Sequence, residues 1–229
     1  MLNEKELPFL AEKGHIVSLV GGGGKTTLLY AMADHCARKG WQVLVTTTTH
    51  IRQPAACYAP DDAALTALWQ AGHYAVIGTP AENGKLTLPQ PQLLHRMAQA
   101  DAVFVEADGA KHYPCKVPAA HEPVLLPQSD IVLAVAGLSA LDRPLREACF
   151  RYDTIRPQFL AAAPDAPLTP PVLAQLLAST QGGRKGQFYA VLNQADTPEL
   201  QQQGIQIQQL LRQHGIKCVL THFEEEERA

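Results

Sequence analysis

The chain has 229 residues, 46% of them hydrophobic and 18% charged, with a net charge of −3 and an isoelectric point near 6.3. That length accommodates one sizeable domain with at most a small appendage, and the absence of a basic excess gives no sign of a nucleic-acid partner. No apolar run approaches the ~18 residues needed to span a membrane, and Met1 to Glu12 lacks the pattern of a signal or transit peptide. The five cysteines (Cys36, Cys57, Cys115, Cys149, Cys218) are odd in number and widely spaced, without a C-x-x-C pair, which argues against a disulfide framework and fits a reducing cytoplasm.

His15 to Val20 is an apolar run that feeds into four glycines, and Thr26 to Lys39 then carries Leu28, Leu29, Met32, Ala33 and Cys36 at helical spacing. This predicts strand, glycine loop and helix, with Gly40 closing the helix and a second buried strand at Trp41 to Val45 running into Thr46 to Thr49 and His50. A helix is expected from Asp61 and Asp62 to Ala71. Tyr74 to Thr79 and Lys85 to Leu88 flank Asn83-Gly84 and predict a peripheral hairpin at about 74–88.

A helix at Pro91 to Ala100 precedes Ala102 to Val105, an apolar run without alternation that ends in Glu106-Ala107-Asp108-Gly109, as a fully buried parallel strand does. Ile131 to Ala136 and Phe188 to Leu192 repeat the pattern. Between them Pro157 to Pro171 reads as a linker followed by a helix to Thr180. A surface helix at Glu199 to His214, with an apolar stripe of Ile205, Ile207, Leu210 and Leu211, leads to a last strand at Lys217 to Leu220, and Glu224 to Glu227 form a solvated end. Strand and helix thus alternate over residues 1–229, which predicts a single α/β domain with a doubly wound, mostly parallel sheet.

Gly21-Gly22-Gly23-Gly24-Lys25-Thr26 is a phosphate-loop pattern two residues shorter than G-x-x-x-x-G-K-[ST]. Its chemistry survives the shortening: glycines let backbone amides approach phosphate, the helix start through Thr27 favours negative charge, Lys25 reaches the terminal phosphates and Thr26 can ligate Mg2+. We therefore expect a P-loop NTPase-like fold binding ATP or GTP with Mg2+. Mur-type ligases have a similarly shortened loop.

Ligands in such sheets bind beyond the carboxyl ends of the strands. Glu106 is placed there as the first candidate for metal binding or water activation and Asp108 as the second, with a turn-capping role as the alternative for Asp108. The threonine run follows the second strand, so a hydroxyl such as that of Thr48 can complete the metal shell, although threonines are also plain strand formers. Asn193-Gln194-Ala195-Asp196 resembles the Asn-Lys-x-Asp element of GTPases, in which the aspartate reads guanine; a helix cap by Asp196 is the rival reading. Lys111, Lys116, His121 and Glu122 crowd the segment after Gly109 as candidate contacts to an anionic substrate, and the spacing of His112 and Cys115 completes no tetrahedral metal set.

Taken in order, Val20 to Thr27, Thr46 to His50, Val105 to Lys111, Lys116 with His121 to Val124, Ala136 to Leu138, and Val191 to Asp196 resemble the YqeC-type family, accessory proteins of selenium-dependent molybdenum hydroxylases. The resemblance implies nucleotide binding and a cytoplasmic role in maturing or inserting a selenium-bearing molybdenum cofactor, with a hydroxylase or its cofactor as partner. It leads to the expectation of a His-Arg pair after Gly137-Leu138, where this chain has Phe150-Arg151. The reading open at this point is an NTP-hydrolysing maturation factor, against a Mur-like ligase or kinase and a non-catalytic nucleotide switch.

Overall fold

The computed structural model describes residues 2–119, 121–154, 163–181 and 186–223. In chain order the strands are β1 (His15–Gly21), β2 (Val43–Thr47), β3 (Ile51–Arg52), β4 (Ala75–Val76), β5 (Thr79–Ala81), β6 (Lys85–Thr87), β7 (Ala102–Glu106), β8 (Cys115–Lys116), β9 (Ile131–Gly137), β10 (Cys149–Phe150), β11 (Gln187–Asn193) and β12 (Lys217–Leu220). The α-helices are α1 (Lys25–Ala37), α2 (Asp62–Gln70), α3 (Pro91–Leu94), α4 (Leu145–Ala148), α5 (Pro170–Gln181) and α6 (Pro198–Gln213).

Seven strands form one sheet in the order β12-β11-β9-β1-β7-β2-β4, parallel throughout. The apolar runs without alternation are its inner strands: every residue of β7 and of β9 is buried. That follows from helices on both faces, which leave no solvent side for polar residues. On one face α1 lays Leu28, Leu29, Met32, Ala33 and Cys36 against Val17, Leu19, Phe104 and Leu133. The opposite face carries α5 and α6 over β9 and β11, and α2 over β2 and β7.

Several details differ from the sequence expectation; the helix expected at Pro91 to Ala100 is α-helical only to Leu94 and continues as a 3-10 helix over His95–Gln99. The 74–88 hairpin is divided: Ala75 and Val76 form the parallel edge strand of the main sheet, while β5 and β6 pair antiparallel and β3 adds a third strand to them. A two-residue strand such as Ile51–Arg52 leaves too few residues for alternation to be seen. Helix α1 ends at Ala37 with Arg38 as its cap, and Gly40 stands beyond it in a left-handed turn whose amide donates to the Ala37 carbonyl at 2.8 Å. Much of the linker expected at Pro157 to Pro171, and the tail at Glu224 to Glu227, lie outside the described residues.

The centre of the sheet positions the site. β1 lies between β7 and β9, and the chain visits the β2–β4 side before crossing to the β9–β12 side. The strand order therefore reverses at β1, and the glycine loop leaves its carboxyl end at that switch point.

Candidate functional site

Gly21 ends β1 and Gly24 caps α1 in the left-handed region, φ 95°. Glycine is required most plainly at Gly23, where φ is 72° and a Cβ would lie 2.0 Å from the Gly137 amide nitrogen. At Gly24 a Cβ would meet the Asn193 side-chain amide at 2.5 Å. The loop is packed this tightly because it sits between the ends of β9 and β11 and the segment before β8. Its amides are tied down accordingly: Gly22 donates to the Val135 carbonyl at 2.9 Å and Gly23 to the Tyr113 carbonyl at 3.1 Å. The Gly21 amide donates to both carboxylate oxygens of Asp108, at 3.1 and 2.9 Å. Beyond them lie the amides of Lys25 to Thr27, in the first turn that helix geometry leaves without i−4 partners, and Gly24 brings no capping side chain.

Around the loop the structure gathers the lysine, the threonine and both carboxylates. β7 pairs with β1 through Leu19↔Glu106 and with β2 through Thr47↔Glu106, which brings Glu106 beside the start of α1. There the Thr26 hydroxyl donates to the Glu106 carboxylate at 2.7 Å. Glu106 is buried, and desolvation pushes its carboxyl above the ordinary carboxylate range against the opposing pull of Lys25 and the Thr26 hydroxyl. Lys25, also buried, donates to the Gly21 carbonyl at 2.6 Å and pairs with Asp108 at 3.2 Å.

Asp108 begins a chain of alternating charge. Its other partner is Lys116 at 3.1 Å; Lys116 in turn meets Glu122 at 2.7 Å and the Gly109 carbonyl at 2.7 Å, and Glu122 is paired with Arg151. Lys116 is fully buried and Glu122 nearly so, so the opposite charges and hydrogen bonds offset the cost of desolvation. The paired cations hold the Glu122 carboxyl below its ordinary range in spite of its burial. The three donors of Lys116 are thus met by Asp108, Glu122 and the Gly109 carbonyl, which makes it an internal member of the site, whereas Lys111 and His121 are exposed. Arg151 is a member of this chain that the sequence reading did not single out. Its signal was that it supplies the arginine of the His-Arg pair expected there, with Phe150 in place of the histidine.

The threonine run is used for structure as well as display. The Thr47 hydroxyl donates to the Glu106 carbonyl at 2.8 Å and the Thr48 hydroxyl to the Val124 carbonyl at 2.6 Å. The Thr49 hydroxyl is buried without a hydrogen-bond partner, and His50 is exposed. Asn193 ends β11 and is buried; its side chain donates to the Gly23 carbonyl at 3.0 Å and accepts from the Thr221 hydroxyl at 3.1 Å. Asp196 is exposed on the turn that follows, and the cap of α6 is Thr197, whose hydroxyl accepts from the Leu200 amide, with Pro198 behind it. The capping role considered for Asp196 thus falls to its neighbour, because proline belongs at the first helical position and the cap must precede it.

Thr26 and Glu106 offer two hard oxygens at the start of a helix. Among the described residues no group of three or more His, Cys, Asp or Glu side chains is placed to hold a metal ion by itself. Two such oxygens are what a protein would contribute to a cation of the Mg2+ kind, which takes one or two protein ligands and completes its shell with phosphate and water.

The comparisons agree with this reading of the chain's kinship. Residues 17–153 match the model of the YqeC protein family, a span that contains the loop, both carboxylates and the charge chain to Arg151. The uncharacterized protein YqeC of Escherichia coli (strain K12) is 31% identical over 180 residues, covering 74% of this chain and 70% of the relative. The chain belongs to the YqeC family.

Proposed function

We propose that this protein binds ATP or GTP with Mg2+ at Gly21 to Thr27 and hydrolyses it, as a cytoplasmic accessory factor in maturing a selenium-dependent molybdenum hydroxylase. The observation that carries the nucleotide reading is the Thr26–Glu106 hydrogen bond of 2.7 Å beside buried Lys25, at the start of a helix that leaves a glycine loop. Hydroxyl, carboxylate, ammonium and helix amides converge there. The accessory role rests on the ordered motifs that resemble the family.

The terminal phosphates sit over the first turn of α1, held by the amides of Lys25 to Thr27, because the amides of Gly21 to Gly23 are already bonded to protein acceptors. Lys25 leaves the Gly21 carbonyl and Asp108 to reach them and stabilises the charge that develops on the transferred group. Lys116 keeps Asp108 paired when Lys25 departs, so no buried carboxylate is stranded. Thr26 and Glu106 would hold Mg2+, which when bound would supply neutralisation of phosphate charge, and Glu106 would also orient the attacking water. Asp196 is the candidate reader of the base; Asn193 is occupied in fastening the loop.

Calorimetric titration of ATP, GTP and CTP with Mg2+ into wild type, Lys25→Ala and Asp196→Ala tests this. Wild type binds with Mg2+ and Lys25→Ala loses at least about tenfold in affinity, the scale of one charge-assisted hydrogen bond. Absence of Mg2+-dependent binding by wild type sinks the proposal. A GTP preference lost in Asp196→Ala selects guanine, whereas equal or ATP-favoured binding retires it. The charge chain reaching Arg151 favours a second reading, transfer to an acceptor rather than to water as in a ligase or kinase; hydrolysis then stays slow until an acceptor is added.

A further inference from the structure

Next to the glycine loop, a cationic cluster is built on one aromatic ring. The Lys111 ammonium lies 5.4 Å and the Arg151 guanidinium 4.7 Å from the Phe150 ring centroid, and the Tyr113 ring packs on Phe150 at 5.6 Å. Tyr113 is the residue whose carbonyl accepts from Gly23, so the cluster abuts the loop. Three of its residues, Lys111, His112 and Arg151, hold left-handed backbone at φ 48°, 67° and 63°. Bulky L-residues rarely adopt that conformation, and such strain collects at ligand-binding sites.

The charges do not balance within the cluster. Glu122 is shared between Lys116 and Arg151, Asp108 between Lys25 and Lys116, and Glu106 also faces Lys25, so three carboxylates meet Lys25, Lys116 and Arg151, and Lys111 adds a fourth cation. Arg151 spends one nitrogen on Glu122 and keeps donors of its planar fork at a side chain that is 27% exposed. Lys111, which lies over the same ring, is exposed. A fork and an ammonium with positive charge in surplus fit a phosphate or carboxylate group, which a guanidinium meets with paired hydrogen bonds.

We infer that Lys111 and Arg151, held on the Phe150 ring beside the glycine loop, bind the oxyanion of a second, small-molecule substrate, a phosphomonoester or a carboxylate. The inference deepens the proposed function, since an acceptor anchored there lies next to the loop that holds the nucleotide. Its use rests on that reading, while the binding site itself does not.

The test is a nucleotide-free NMR titration of the full chain with glycerol 3-phosphate and, separately, glycerate, following the backbone amides of His112 and Arg151. Saturable shifts are expected at both amides, alike in wild type and Lys25→Ala, for one or both probes; the stronger probe identifies the oxyanion. Affinity falls about tenfold or more in the Lys111→Ala/Arg151→Gln double variant and is only partly kept in Arg151→Lys, whose ammonium preserves the charge but not the paired hydrogen bonds. If the double variant unfolds, exposed Lys111→Ala alone carries the comparison and is expected to weaken binding. No saturable shift with either probe overturns the inference, as do shifts that vanish in Lys25→Ala, which place the oxyanion on the glycine loop instead. Failure of the nucleotide reading is seen separately, in the triphosphate titration that depends on Lys25.

Discussion

Glu106 combines two demands that pull in opposite directions. Its carboxyl is held above the ordinary value of 4.5 chiefly by burial, whereas metal binding requires the ionised form. In the proposed site, Mg2+–nucleotide affinity is therefore expected to rise with pH through that raised pKa, and to keep in Glu106→Gln only the smaller dependence of the nucleotide phosphate itself; a titration series across pH decides it, and an unchanged slope in the variant rules Glu106 out. The same shift acts on stability. A carboxyl whose folded pKa exceeds its unfolded one favours folding when protonated, so its burial penalty is absent below the unfolded value and appears as pH rises above it. Ligand-free Glu106→Gln should then be more stable than wild type at neutral pH, by roughly 0.5–2 kcal/mol, with the gain fading toward pH 4. Thermal melts at the two pH values measure it.

The strand–loop–helix element works because backbone approaches backbone. Gly23→Ala combines a left-handed φ with a Cβ 2.0 Å from the Gly137 amide nitrogen, which cannot rotate aside as a side chain would. We expect a loss of roughly 2 kcal/mol or more in urea unfolding, from the strain of the turn and the overpacking together. Gly40→Ala is the control, with a similar φ of 78° and nothing within 4 Å of the added carbon, and should cost about 1 kcal/mol. Equal losses would show that contact with β9 is immaterial. This element was readable from sequence because an apolar run, four glycines and a helical stripe are adjacent in the chain. The antiparallel sheet of β3, β5 and β6 was readable only as a hairpin, since Ile51–Arg52 is too short to carry a period.

At the scale of the molecule, the alternation of apolar runs and helical stripes foretold a parallel sheet with helices on both faces, because each covered strand leaves its own mark in composition. The charge chain left no such mark. Asp108, Lys116 and Glu122 stood out in sequence only as separate candidates, for metal or for an anionic substrate, and only the path of the chain after β7 and after β10 brings them into one line with Arg151. The fastening of the loop by Asn193 was hidden for the same reason, being a contact between residues 170 apart. Asn193→Ala removes two hydrogen bonds from a buried group and is expected to cost about 1–3 kcal/mol of stability and to weaken triphosphate binding without altering the ranking of bases. A changed ranking would move base recognition onto Asn193.

That fastening also has a direction in time. A chain emerging from the ribosome presents the glycines well before Asn193 and its partner Thr221, both of which lie beyond the span matched by the family model. A nascent or truncated chain carries the motif without its anchor. Until β11 has been synthesised and paired with β9, the loop therefore lacks the contact that holds the Gly23 carbonyl in place.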